Sequence, residues 1–395
     1  MTNEGRPLEI DFTAQEPIPA AGIERANELM ASGKLFRYGE GGTDQADAAL
    51  LEAEFAQLVG RRYCVAFNSC GASLAASLIA AGVQRDEPVL MNAFTLAPVP
   101  GAIAHAAARP IFVGITDRLH IDLDDLRRAA AASGSHWLLL SYMRGHIPNL
   151  DEVMAVCDEL DIGVIEDCAH TMGASWDGRP TGTFGLAGCF STQSFKHANS
   201  GEGGLLVTDD EDLAAKAVLL SGSYMLYEQH GARPSADVFE RHRLTTPNFS
   251  MRMSALAAAL VRPQLELLPE RAERWNERYR QLADALSGID GIDVPARDTR
   301  EQYVASSIQF AISGVDRAAF VARAASQGVA IKWFGAVDPV GFTSRFDHWR
   351  YADEQTLAST SRVLAGLCDM RIPLAVSATD IDAIATVIST AMTDS

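Results

Sequence analysis

Lysine is rare in this chain. Among 33 basic residues only Lys34, Lys196, Lys216 and Lys332 are lysines, and the rest are arginines. Chemistry that needs a neutral primary amine therefore has four candidates, because a guanidinium stays protonated. Three of the four have ordinary surroundings. Lys34 follows Ser32-Gly33, a helix-stop signal. Lys216 lies in the helical pattern Asp212 to Leu219, and Lys332 in Val329 to Phe334, a strand pattern that could face a substrate. Lys196 differs. It closes the run Phe190-Ser191-Thr192-Gln193-Ser194-Phe195-Lys196 and precedes Gly201-Glu202-Gly203-Gly204. A lysine among hydroxyl and glycine residues, with an acidic strand end upstream, suggests a Schiff-base lysine for pyridoxal phosphate.

That strand end is Val164-Ile165-Glu166-Asp167. Ligands of open α/β sheets sit at the carboxyl ends of the strands. A carboxylate there can bond the pyridine nitrogen and keep it protonated, which makes the ring an electron sink. Asp167 fits better than Glu166, whose side chain should point to the other face. The plain alternative for Asp167 is a helix N-cap. Upstream, Asn68-Ser69-Cys70-Gly71-Ala72-Ser73-Leu74 follows the apolar run Val65-Ala66-Phe67 and opens an Ala-rich helix. Small residues at a helix N-terminus let backbone N–H groups approach a phosphate, although a Ser-rich cap looks the same. Ser191 could donate a hydroxyl to that phosphate. The series Gly182, Gly185, Gly188 lacks dinucleotide spacing and reads as loop.

The elements that must position these residues show as pattern. From about Leu51 to Thr208, apolar runs such as Val89-Leu90-Met91, Ile111-Phe112-Val113 and Leu205-Leu206-Val207 alternate with helical patterns. In one of these, Leu150, Val153, Met154, Cys157 and Leu160 recur at helical spacing. The alternation predicts a mostly parallel sheet covered by helices. Beyond Pro263 and Pro269 a long helix is expected, with Trp275, Tyr279, Leu282 and Leu286 on one face. The remaining third, including a strand over Ser306 to Phe310, reads as a smaller α+β domain. The expected division is a large domain over 1–262, with an N-terminal arm of about 1–35 that wraps onto either domain, and a small one over 263–395.

Composition narrows the function. The chain has 395 residues, 48% of them hydrophobic, and a net charge of −18. That charge argues against nucleic acid or an anionic membrane as partner, but a local arginine cluster can still favour an anionic small substrate. No transmembrane run of 18 apolar residues and no signal-peptide core is present. The six cysteines form no C-x-x-C pair and no zinc spacing, so no metal is expected. They read as buried free thiols of a cytoplasmic protein, with Cys168 and Cys189 at strand ends.

The chain resembles the DegT/StrS-like sugar aminotransferases, enzymes with the aspartate-aminotransferase-type fold. The resemblance runs from about Leu51 through Gln264 and more faintly beyond. It is carried by Glu166-Asp167-Cys168-Ala169-His170, Gly173-Ala174, Gly178-Arg179, Gly182, Phe190-Ser191, Lys196 and Gly201-Glu202-Gly203-Gly204. It implies a fold type I α/β architecture, with a mostly parallel seven-stranded sheet between helices and a smaller C-terminal α+β domain. It implies pyridoxal 5'-phosphate on Lys196, Asp167 at the ring nitrogen and His170 beside the ring. Gly71, Ala72 and Ser191 would hold the phosphate, and the protein would be a homodimer with shared active sites.

The chain departs from the pattern in places. Relatives read S-G-T where this chain has Ser69-Cys70-Gly71-Ala72, so a threonine hydroxyl is missing. The aromatic that covers the ring after a threonine is here Leu96 after Thr95, and alternation disfavours Phe94 as a substitute. The asparagine that reaches the partner's phosphate is here Asn248 or, by register, Ser250. The activity expected is transfer of an amino group from glutamate or glutamine to a keto sugar, cyclitol or related carbonyl compound. A sugar dehydratase or other non-transaminating enzyme is one alternative, since some relatives carry histidine for the lysine and His197 is adjacent. A non-catalytic regulatory protein on the same fold is the other.

Overall fold

Seven short apolar segments form the central sheet: β1 (Tyr63–Phe67), β2 (Pro88–Asn92), β3 (Arg109–Val113), β4 (Trp137–Ser141), β5 (Gly163–Asp167), β6 (Ala187–Ser191) and β7 (Gly204–Thr208). The computed structural model describes residues 6–39, 46–342 and 344–393, so residues 1–5 of the expected arm lie outside it. The strand order is β1-β7-β6-β5-β4-β2-β3. β7 runs antiparallel to β1 and β6, and the other pairings are parallel. Both faces are covered, which is why the strands read as continuous apolar runs instead of alternating ones.

The pleat still sorts each strand between two cores. Ile165 packs with Phe67, Met91 and Leu139 on the face covered by the helix Cys70–Ala81. Val164 packs with Ala66, Leu90 and Leu138 on the other. Polar side chains mark where the helices begin. Ser69, Asp122, Asn149, Asp210 and Ser254 each accept a hydrogen bond from a first-turn N–H.

Glu166 faces the second core, and Asp167 the first. The buried Glu166 carboxylate accepts from Tyr142 Oη (2.7 Å) and from the backbone N–H groups of Gly182 (2.7 Å), Phe184 (2.7 Å) and Gly185 (2.8 Å). The glycine series is therefore only partly loop: Gly182 and Gly185 bring amides to Glu166, while Gly188 belongs to β6. A Cβ at Gly185 would lie 2.3 Å from Val164 O, and one at Gly188 2.3 Å from Gly182 Cα. Only glycine lets the loop press onto the sheet that closely. Cys189 lies in the middle of β6, not at its end as expected.

The C-terminal part carries a second, antiparallel sheet of β8 (Ile292–Asp293), β9 (Ser307–Ile312), β10 (Lys332–Trp333) and β11 (Leu367–Arg371), in the order β8-β9-β11-β10. The helix Ala255–Leu265 runs on almost directly into Leu268–Ser287. Leu268 and Trp275 of the long helix belong to the large core; Tyr279, Leu282 and Leu286 belong to the small one with Ile308, Phe310 and Phe320. The N-terminal segment bridges the two. Leu8 N donates to Gln327 O (2.9 Å) and Phe12 enters the small core. The helix Ala20–Ser32 lies on Ala255–Leu265 through Leu29, Ala255 and Ala259. Among the described residues no helix is long and apolar enough to cross a membrane.

The Glu166 anchor generates a stability prediction. Glu166→Gln turns an amide NH2 toward buried N–H donors, each unmet donor costing about 1–3 kcal/mol. Urea unfolding of the variant should show a loss of at least ~2 kcal/mol. Unchanged stability would mean the carboxylate is not what fixes this strand end.

Candidate active site

The carboxyl ends of β1, β4, β5 and β6 converge on one edge. Strand register puts Ser141 beside Asp167, and Asp167 beside Cys189 in β6, two residues before Ser191. Ser191 and Phe67 both pair with Gly204. A Cβ at Gly204 would stand 2.4 Å from Ser69 O, so the glycine brings the first turn of Cys70–Ala81, with Gly71 and Ala72, against the end of β6. Ser69 caps that turn by accepting from Ala72 N (3.1 Å).

Lys196 sits on the turn between β6 and β7. The turn is closed by Thr192 N to Gly203 O, Ser194 N to Gly201 O (both 3.0 Å) and Lys196 N to Gln193 O (2.9 Å). Gly201 adopts φ +81, and a Cβ at Gly203 would lie 2.2 Å from Thr192 Oγ1, which explains the glycines after the lysine. Gln264 clamps the far side: its Nε2 donates to Asn199 O (2.7 Å) and its Oε1 accepts from Asn199 N (3.0 Å). The half-buried lysine extends to His170, with Nζ 2.7 Å from Nε2. An ammonium can only donate, so a protonated Lys196 fixes Nε2 as acceptor.

The charges around the amine are unusual. Burial, then the Arg144 guanidinium, pulls the Lys196 amine down from the ordinary 10.5 to about 8, against the opposing pull of Asp167. Burial, then Lys196 and Arg144, holds His170 well below 6.5, so the imidazole is neutral. Asp167 is 4% exposed, and burial raises its pKa. Two donors and one charge counter that rise: Ser141 Oγ at 2.7 Å, Ala169 N at 3.1 Å and the cationic Lys196. Ser141 Oγ is itself 2.9 Å from Thr95 Oγ1.

The structure thus brings together Lys196, His170 and Asp167, and along the same edge Ser191, Gly71 and Ala72. Leu96 is half-buried against the first core, and Phe94 is buried edge-on to Phe334 (5.2 Å). Asn248 and Ser250 are not brought to this group within the chain. Both are exposed, and Asn248 Oδ1 accepts from Ser250 N (3.0 Å) in a tight turn where Ser250 adopts φ 53. Of the other lysines, Lys216 donates to Ala80 O (3.2 Å), and Lys332 is exposed and outside the cavity that Lys196 lines. Sequence reasoning missed Ser141 and Thr95, which orient Asp167, and the arginines Arg144 and Arg371 beside Lys196. The usable signal for Arg144 was its place just beyond the end of β4, the edge on which a ligand was expected.

The donor set fits pyridoxal phosphate group by group. It offers an amine of lowered pKa, a buried carboxylate on the same edge, and a hydroxyl beside a helix N-terminus. Gly204 supplies the close backbone approach that a bulkier residue would block.

Comparison with known proteins agrees. The model of the DegT/DnrJ/EryC1/StrS aminotransferase family matches residues 20–389, and the chain belongs to that family. It is 31% identical over 245 residues to the spore coat polysaccharide biosynthesis protein SpsC of Bacillus subtilis, spanning 62% of this chain and 62% of that protein's length. It is 30% identical over 290 residues to the L-glutamine:2-deoxy-scyllo-inosose aminotransferase of Micromonospora echinospora, spanning 73% and 68%. In fold it is similar to 3-amino-5-hydroxybenzoic acid (AHBA) synthase, with a TM-score of 0.83 at 20% identity over 99% of this chain and the whole of that one.

The lowered amine pKa can be measured directly. In cofactor-free protein, capture of pyridoxal phosphate by Lys196 needs the neutral amine, whose fraction grows as pH rises through the pKa. The capture rate should climb with pH, reach half its maximum near 8 and level off above that. A rate still climbing steeply toward pH 10 would show an ordinary lysine.

Proposed function

We propose that the protein is a pyridoxal-phosphate-dependent aminotransferase that moves the amino group of glutamate or glutamine to a keto sugar, cyclitol or related carbonyl compound. The observation that carries the reading is the amine of Lys196, held 2.7 Å from a neutral imidazole and electrostatically coupled to the buried Asp167. The named inosose aminotransferase supports an amino-acid donor and a polyhydroxylated carbonyl acceptor.

The chain's residues divide the work. Lys196 would be the attachment point, and its free amine would carry a proton from the donor's α-carbon to the cofactor carbon C4′. A base poised near neutrality suits that task at physiological pH. His170 receives a hydrogen bond from Nζ and so aims the amine. Asp167, oriented by Ser141 and Thr95, holds a proton at the ring nitrogen. The helix N-terminus at Gly71 and Ala72, with the Ser191 hydroxyl, would hold the phosphate, and Leu96 would cover the ring. Pyridoxal phosphate, when bound, supplies the electron-withdrawing ring that makes the α-proton removable. The dehydratase alternative is disfavoured because the lysine is present. His197 is also occupied elsewhere, buried against Trp275 (ring centroids 5.2 Å apart) with Nε2 3.3 Å from Ser306 Oγ.

The same proposal covers assembly and location. Asn248 and Ser250 lie outside the intrachain site on an exposed turn flanked by Phe249, which suits a homodimer in which they reach the partner's phosphate. Six buried unpaired cysteines suit a reducing cytoplasm. A division near residues 262 and 263 assigns the cofactor residues named here to the large domain.

The purified protein should be yellow, and borohydride should fix a pyridoxyl mass on the peptide containing Lys196. Label on another lysine would overturn the assignment. Lys196→Ala and Lys196→Arg should both abolish transamination, and Asp167→Asn should keep the cofactor while losing most of the rate. Asn248→Ala or Ser250→Ala should weaken cofactor affinity on the order of tenfold, the loss of one charge-assisted hydrogen bond. A fully active monomer by light scattering, or unchanged affinity in both variants, would remove that segment from the site.

A further inference from the structure

The C-terminal sheet buries polar groups where apolar ones are the rule. Along β11 the pleat sends Cys368 and Met370 into the small core and Leu367 into the first core. Asp369 shares the face of Leu367 and is 1% exposed. Opposite it on β9 stands Gln309, also 1% exposed, between Ile308 and Phe310, which point into the small core. Burying a carboxylate and an amide at such a contact costs free energy unless each is matched. They are matched, and the matching leads toward Lys196.

Gln309 Nε2 donates to Asp369 Oδ1 (2.7 Å) and to Ser307 Oγ (3.0 Å). Gln309 Oε1 lies 2.9 Å from His146 Nε2. An amide oxygen only accepts, so the His146 proton sits on Nε2. Burial, then the Arg297 guanidinium, holds His146 well below 6.5, so the ring braces Gln309 without adding charge. Asp369 Oδ2 accepts from Arg144 Nη2 (2.8 Å). Arg144 lines the same cavity as Lys196, and Phe342 covers its guanidinium, 4.9 Å from the ring centroid. Its backbone adopts φ 56, uncommon for a residue other than glycine, which persists where surrounding structure enforces it. Asp369 is not among the described residues that line the cavity. It stands one hydrogen bond behind the wall.

We propose that Asp369, braced by Gln309 and His146, is a positioning residue for Lys196: it fixes the Arg144 guanidinium beside the amine and offsets part of its charge. The proposal rests on the transaminase reading and deepens it. The amine is the group whose proton moves, so the net charge beside it decides how readily that proton leaves. The other groups facing it are Asp167, His170, Cys70, Arg371 and the adjacent His197. Asp369 offsets the charge of Arg371 as well, which acts in the same sense.

The test is the pH profile of pyridoxal phosphate capture by the cofactor-free chain, which follows the neutral fraction of the amine. The wild-type midpoint is expected near 8. Asp369→Asn keeps the side chain's shape and removes its charge, leaving Arg144 uncompensated. The midpoint should then fall by about one pH unit, the effect of one charge several ångströms away in a partly screened interior. Asp369→Glu should restore it in part. A pair that serves stability alone predicts weaker resistance to urea and an unmoved pH profile. Should Asp369→Asn fail to fold, Arg144→Met combined with Asp369→Leu removes both charges, a change that buried pairs commonly tolerate. The guanidinium is the nearer charge, so the midpoint of the double variant should rise above the wild-type value by roughly half a pH unit. An unmoved or raised midpoint in Asp369→Asn, or an unmoved or lowered one in the double variant, would overturn the proposal. A wild-type chain that captures no cofactor would sink the transaminase reading instead, which keeps the two failures distinct.

Discussion

Two carboxylates stand side by side at the end of one strand, and the pleat sends them to opposite faces. Glu166 gathers four donors on one face and locks the end of β5 to the loop over residues 182–185. Asp167, on the other face, can then be held in place by only a hydroxyl, a backbone N–H and the neighbouring lysine. A one-residue slip of the strand would exchange the two and leave a buried carboxylate on each face with the wrong partners. The position of Lys196 depends on the same register. β6 pairs with β5 through Asp167 and Cys189, and the glycine-closed turn then carries the lysine back over the strand ends. The rest of the site follows from where β5 stops.

Local pattern made much of this legible. The run from Glu166 to His170 and the segment from Phe190 to Gly204 carry their meaning in adjacent residues, so the strand end, the turn and the lysine could be read together. The parallel sheet was legible because strands buried on both faces must be apolar throughout. The long helix Leu268–Ser287 showed through its period, with Trp275, Tyr279, Leu282 and Leu286 on one face. The glycine series was misread in part because a strand glycine and a loop glycine look alike. Gly188 is glycine for its distance to Gly182, a contact between segments that no local window contains.

What was not legible is what tertiary contact alone creates. Arg144 and Arg371 are far apart in sequence and come together beside Lys196 only where the C-terminal sheet packs against the central one. In a chain where arginine is the ordinary cation, nothing in their neighbours sets them apart. Ser141 and Thr95 are also anonymous in sequence, and they matter only because register places Ser141 beside Asp167. Asn248 shows the converse. Its turn is locally satisfied by Ser250, so the intrachain structure is complete without the role the family pattern assigns to it.

The global charge and the local charge act at different ranges. Screening limits exposed charges to about 8 Å at physiological salt, whereas buried charges are screened far less. A ligand inside the cavity therefore responds to Arg144 and Arg371 more than to the acidic surface. The same guanidinium groups depress the Lys196 amine, after burial, so basicity and anion affinity have a common source. A carboxylate lying between them would offset their charge and raise the proton affinity of the lysine. At neutral pH the amine, at about 8, is largely protonated, but it gives up its proton far more readily than an ordinary lysine does.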